Sequence, residues 1–266
     1  MLSTVVTVFL HVYEVVSIKT NTAISSAVLI LVTYFLLRKY VSTPLRCVGL
    51  RPVRPRLIVY SVLASLAIIV PAMSLEAVML SRFKIPEEWM EFVLEIVRAD
   101  NVPQLIYAWL VAAVGAALSE ELVFRGVLQN SLASRMRGWL AVLITSVVFA
   151  ALHTWRFPAA LVLGLFLGVL YLRTGSLVTS ITAHLTINSV AVFGQFAIDK
   201  MGEAILPPWV LEEEAAPIVL LGICIAVFGV LMSMLYRETV SEPEGQPPPR
   251  PLRSPPETPD DLSGTN

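Results

Sequence analysis

Charge is what this chain has least of. Charged residues make up 15% of its 266 positions and hydrophobic residues 56%, where a soluble domain would be about a quarter charged. That shortage excludes an ordinary water-soluble fold, and a mean hydropathy of +0.75 points to a polytopic helical membrane protein. Cysteine is scarce too. Cys47 sits in a basic stretch and Cys224 in an apolar one, so the 2 cysteines make neither a metal motif nor a redox pair. A formal net charge of −1 offers nothing to a nucleic-acid partner. No basic stretch precedes the first apolar residues, so no cleaved signal peptide is expected. No shift in composition divides residues 1–240, which read as a single helical membrane domain with its chemistry between about 100 and 198.

The charge that is present is segregated. Arg38 to Arg56 carries Arg38, Lys39, Arg46, Arg51, Arg54 and Arg56 and no acid, which makes it a cytoplasmic loop by the positive-inside rule. Residues 81–103 carry Glu87, Glu88, Glu91, Glu95 and Asp100. There Trp89, Phe92, Val93 and Ile96 recur at helical spacing, predicting an amphipathic helix on the outer surface. The segment 199–215, with Glu203 and Glu212 to Glu214, is acidic and expected outside. Apolar runs at about 23–37, 57–80, 104–134, 139–153, 157–172, 176–198 and 217–236 predict seven spans, the second kinked at Pro71. An eighth follows if residues 4–18, interrupted by His11 and Glu14, also cross. The fold class is all-α, a transmembrane bundle of seven or eight membrane helices. The prolines of 241–266 predict a disordered cytoplasmic tail.

Against this background one cluster stands out: Glu120, Glu121 and Arg125 inside the long apolar run 104–134. A charge at mid-bilayer costs about 2.5–3.5 kcal/mol on insertion scales. These groups therefore line an aqueous cavity or neutralise one another. Glu121 and Arg125 are four residues apart, share a helix face and read first as a structural ion pair. Glu120 is turned about 100° away, which leaves one carboxylate free for chemistry. Two further helices carry polar groups at helical spacing, Phe149 with His153 and His184 with Asn188. Phe149 reads as packing, and Gly164 with Gly168 as a close helix contact.

Such a set permits peptide hydrolysis. Glu120, helped by His153, would take a proton from water, and His184 and Asn188 would donate to the oxyanion that develops. Glu120, His153 and His184 are also a possible zinc ligand set, although no His-Glu-x-x-His helix is present. Proton-relay residues of a transporter, or polar glue in a non-catalytic scaffold or immunity protein, are the alternatives. No internal repeat supports the first.

Glu-Glu-x-x-x-Arg at 120–125, Phe-x-x-x-His at 149–153 and His-x-x-x-Asn at 184–188, in that order, resemble the CPBP family of intramembrane endopeptidases. That family includes the type II CAAX prenyl proteases and proteins tied to bacteriocin processing and self-immunity. The resemblance implies that Glu120 and His153 activate water and that His184 and Asn188 form the oxyanion site. Glu121 and Arg125, with Phe149, would support it. No cofactor is expected, with zinc the possible exception. The partners implied are a peptide or protein substrate at the membrane and the lipid bilayer itself, and the location is a bacterial plasma membrane.

Overall fold

A computed structural model describes residues 17–202 and 218–240. The expected helix over 4–18 (all but its last two residues), most of the acidic segment 199–215 and the proline-rich tail lie outside the described residues. Every element described is helical. They are α1 (Ile18–Tyr40), α2 (Pro55–Arg82), α3 (Glu87–Val97), α4 (Val102–Ala133), α5 (Gly138–Ala151), α6 (Phe157–Thr174), α7 (Leu177–Met201) and α8 (Ile218–Val240). Pro44–Cys47 and Thr154–Arg156 add single turns.

Among the described residues, 6 helices are long and apolar enough to cross a membrane: α1, α2, α4, α6, α7 and α8. The fold is an all-α polytopic bundle. The remaining expected span, 139–153, is apolar but shorter than predicted. At about 1.5 Å per residue, the 14 residues of α5 fall short of a hydrocarbon core of about 30 Å. The apolar run gives out after Leu152, and the helix stops at Ala151. Thr154 adopts a φ of 51°, the turn Thr154–Arg156 follows, and Pro158 occupies the first turn of α6, a position for which its fixed φ is suited. His153 is thereby left at the tip of a short hairpin.

In lipid, apolar contact alone gives helices little reason to associate, so small residues and polar bonds decide where they meet. A Cβ on Gly164 would stand 3.1 Å from Ser146 Cα, and one on Gly168 would stand 2.9 Å from Val142 Cγ1. These two glycines let α6 lie tightly on α5. One apolar cluster joins α2, α6, α7 and α8 through Leu57, Ile68, Phe166, Leu170, Ala183 and Leu235. Another places Phe124, Phe149, Ala150 and Ala160 beside the charged segment of α4.

Both ends of the bundle are tied by polar bonds. At the arginine-rich end, the segment after α1 is held on the α6–α7 turn: Leu177 N donates to Gly49 O at 2.8 Å, and Tyr171 Oη donates to Val48 O at 3.1 Å. Asn130 Nδ2 donates to Cys47 O at 3.0 Å from α4. At the opposite end Lys19 and Lys200 donate to the Arg98 and Asp100 carbonyls. These bonds fix the loop between α3 and α4. Helix α3 packs on α1, α4 and α7 with Trp89 and Phe92 exposed.

The two kinds of glycine predict opposite effects. Gly168→Val overfills the α5–α6 contact and lowers unfolding free energy by about 1–3 kcal/mol. Gly194, with nothing within 4 Å of its would-be Cβ, gains about 0.5–1 kcal/mol on change to Ala, because glycine is costly inside a helix. Denaturation in detergent micelles reads both.

Candidate active site

Helix α4 is not uniformly wound. Two π-helical stretches, Trp109–Gly115 and Leu122–Gln129, bracket the ordinary turns Ala116–Glu121. Such widened turns gather at functional sites, and here they enclose the paired carboxylates.

Glu121 and Arg125 are both fully buried, with side-chain exposure of 0%. Arg125 Nη1 donates to Glu121 Oε1 at 2.7 Å, and Nη2 donates to the Gly164 carbonyl at 3.2 Å. The guanidinium also lies 4.8 Å from the Phe149 ring centre, a distance for cation–π attraction. One side chain thus engages α4, α5 and α6. A turn further on, Gln129 Nε2 repeats the contact, donating to Gly168 O at 2.9 Å. The Gly164 and Gly168 carbonyls are therefore acceptors as well as parts of a packing face. Gln129 was not singled out from the sequence. The signal existed, because 125 and 129 step by four just as 164 and 168 do.

The second partner of Glu121 comes from α7. His184 Nδ1 lies 2.9 Å from the same oxygen, Glu121 Oε1. His184 Nε2 turns toward Glu120, 3.9 Å from its Oε2. Glu120 differs sharply from its neighbour. Its side chain is 27% exposed, while its Oε2 is buried and makes no hydrogen bond among the described residues.

His153 Nδ1 lies 2.8 Å from the Phe149 carbonyl. A carbonyl only accepts, so Nδ1 carries the hydrogen and Nε2 of the neutral ring is an acceptor. Phe149 touches both histidines, with ring centres 4.3 Å from His153 and 6.2 Å from His184. Asn188 Nδ2 donates to Ala112 O, 2.9 Å away in the first π stretch of α4. Ser189 adds a bond from Trp109 Nε1 at 2.8 Å. Glu120, Glu121, Arg125, Phe149, His153 and His184 are brought together, and Asn188 joins α7 to α4 one turn beyond. No hydrogen bond links His153 to Glu120 among the described residues.

A zinc site needs three or more ligand atoms converging on one point. No group of three or more His, Cys, Asp or Glu side chains does so among the described residues. Glu120, His153 and His184 do not fit a resident metal, and no step below passes through one.

Residues 102–190 match the family model for type II CAAX prenyl endopeptidase Rce1-like proteins. The matched stretch holds all seven residues named above. This segment is thus similar to the CPBP family. Among curated proteins, an uncharacterized 24.3 kDa protein of Escherichia coli is 30% identical over 101 residues, covering 35% of this chain and 46% of that protein. The chain thus spans about half the length of that relative. No solved structure matches it. The apolar helices and the match to a membrane-protease family support an integral multi-pass membrane protein.

The geometry separates the two carboxylates of the CPBP motif by what their removal does. Arg125→Lys keeps the charge but loses the second arm of the fork to Gly164 O, and lowers stability by about 1–3 kcal/mol, the cost of an unmade buried bond. Glu120→Gln removes no observed hydrogen bond and stays within about 0.5 kcal/mol of wild type, as substitutions away from structural features do. Chemical denaturation of the two variants in micelles measures the contrast.

Proposed function

We propose that the protein is an intramembrane endopeptidase that hydrolyses a peptide bond in a peptide or protein presented at the membrane, with Glu120 as general base. The observation that supports this most is the Glu120 carboxylate. It is partly exposed, beside a fully buried ion pair, with one buried oxygen lacking a partner among the described residues, in a segment that matches an endopeptidase family. An unpartnered buried carboxylate oxygen is costly, and it is the group a general base must offer.

In this reading the water oxygen bonds to the scissile carbonyl carbon as Glu120 takes the water's proton. The C–O π pair moves onto the carbonyl oxygen. As that pair returns, the C–N bond breaks, and Glu120 delivers its proton to the leaving nitrogen. His153, whose Nδ1 hydrogen is committed to the Phe149 carbonyl, presents Nε2 as a further acceptor at the site. Asn188 gives one amide hydrogen to Ala112 O and keeps another for the oxyanion, a donor whose removal elsewhere costs about 10²–10³ in turnover. His184 lines the same side of the site.

The test is cleavage of internally quenched peptides, lipidated and plain, by the purified full chain in detergent, with and without a chelator. Wild type is expected to cut. Glu120→Ala and His153→Ala each lose about 10²-fold or more while melting close to wild type, and the chelator changes nothing. Cleavage that survives Glu120→Ala, or that vanishes with the chelator, overturns the reading.

A further inference from the structure

His184 carries a hydrogen-bond pattern at odds with a simple donor to an oxyanion. Its Nδ1 lies 2.9 Å from Glu121 Oε1, and that same oxygen accepts from Arg125 Nη1 at 2.7 Å. A carboxylate bonded to a guanidinium has no hydrogen to offer on that oxygen, so the imidazole must donate. The hydrogen is on Nδ1. In a neutral ring Nε2 then carries a lone pair and accepts hydrogen bonds.

What Nε2 faces is a second acceptor. Glu120 Oε2 lies 3.9 Å away, beyond direct hydrogen-bond range. Among the described residues it is buried and has no partner. Two acceptors cannot bond to each other. They can each take one hydrogen of a single water lying about 2.8 Å from both. Among the described residues, the charged groups that meet His184 come from α4: Glu120 and Glu121 directly, and Arg125 through Glu121. The edge of Phe149, from α5, lies against the ring at 6.2 Å between centres.

The geometry points to Glu121 as a positioning residue that locks His184 in its Nδ1–H tautomer, so that His184 Nε2 and Glu120 Oε2 together hold the nucleophilic water. The catalytic half of this rests on the protease reading above; the tautomer does not. Glu121 acts on the reaction only through the ring, as an ionised carboxylate orients a catalytic imidazole elsewhere. Asn188, rather than His184, is then the oxyanion donor. This departs from the role that the family resemblance implies for His184, and the reason is local. The donor hydrogen of the ring is already committed to Glu121.

The chain contains 3 histidines, so the full-length protein, labelled with ¹⁵N-histidine and held in lipid nanodiscs, gives an imidazole spectrum that single substitutions can assign. The spectrum is recorded without substrate at neutral pH. His184, identified by the signals lost in His184→Gln, is expected as the neutral Nδ1–H form. Glu121→Met removes the one oxygen that both Arg125 Nη1 and the ring use. His184 then switches to the Nε2–H form, and kcat falls at least tenfold with KM within twofold. Glu121→Asp, which keeps a carboxylate, restores the wild-type tautomer and part of kcat.

A wild-type His184 found as Nε2–H, or protonated on both nitrogens, overturns the proposal even if Glu121→Met fails to fold. So does a Glu121→Met variant that keeps the Nδ1–H form while losing activity, since Glu121 would then be acting by another route. A chain that cuts no peptide yet shows the Nδ1–H form sinks the protease reading and leaves the tautomer assignment standing. The two failures are therefore distinguishable.

Discussion

Glu121 has no access to water, and its charge has to be answered inside the protein. An ionised carboxylate alone among apolar helices would cost several kcal/mol. Arg125, one turn on, supplies the counter-charge, but a guanidinium has more hydrogens than one carboxylate oxygen can take. The Gly164 carbonyl accepts another, which requires α6 to lie close, and only glycine at 164 and 168 allows that approach to α5. The position of Phe149 under the guanidinium and the position of His184 against Glu121 follow from the same demand. Four helices are located by one buried charge.

That constraint also explains why two adjacent glutamates have different work. Their directions differ by about 100° on the helix. Glu121 points at Arg125 and α7, where every approach is closed; Glu120 points to where a quarter of its side chain remains exposed. The site is asymmetric because a helix cannot aim neighbouring residues at the same place. The π stretches on either side of the pair alter the winding where α7 and α5 must both reach in. Asn188, bonded to a carbonyl of the first stretch, fastens α7 where α4 departs from regular winding.

Much of this was legible in the sequence, for physical reasons that differ from residue to residue. The pairing of Glu121 with Arg125 followed from the helical repeat, since four residues bring two side chains to one face. The helical class followed from the shortage of charge. The end of α5 was legible to within two residues, because the polar His153, Thr154 and Arg156 break the apolar run; the backbone turn at Thr154 itself was not. The carbonyl partners of Arg125 and Gln129 were hidden because glycine shows no side-chain chemistry, so a small-residue face reads as packing alone. The ring nitrogen that His184 commits to Glu121 was equally hidden. Spacing tells which residues share a face, and it is silent on which atom points where. Convergence of three separate helices was suggested by polar groups at helical spacing on each and by the order of three short motifs.

The central claim is that the buried Glu121–Arg125 pair is the joint on which the site depends, and a double-mutant cycle tests it most directly. Unfolding free energies would be measured in mixed micelles for wild type, Glu121→Met, Arg125→Met and the double variant. Each single change leaves a buried group without its partner, while the double change removes the mismatch. The account predicts that the double variant is more stable than the sum of the single losses implies, with a coupling of about 1–3 kcal/mol. Losses that add to within about 0.5 kcal/mol, as they do for independent sites, would show that the pair is not what holds these helices in register.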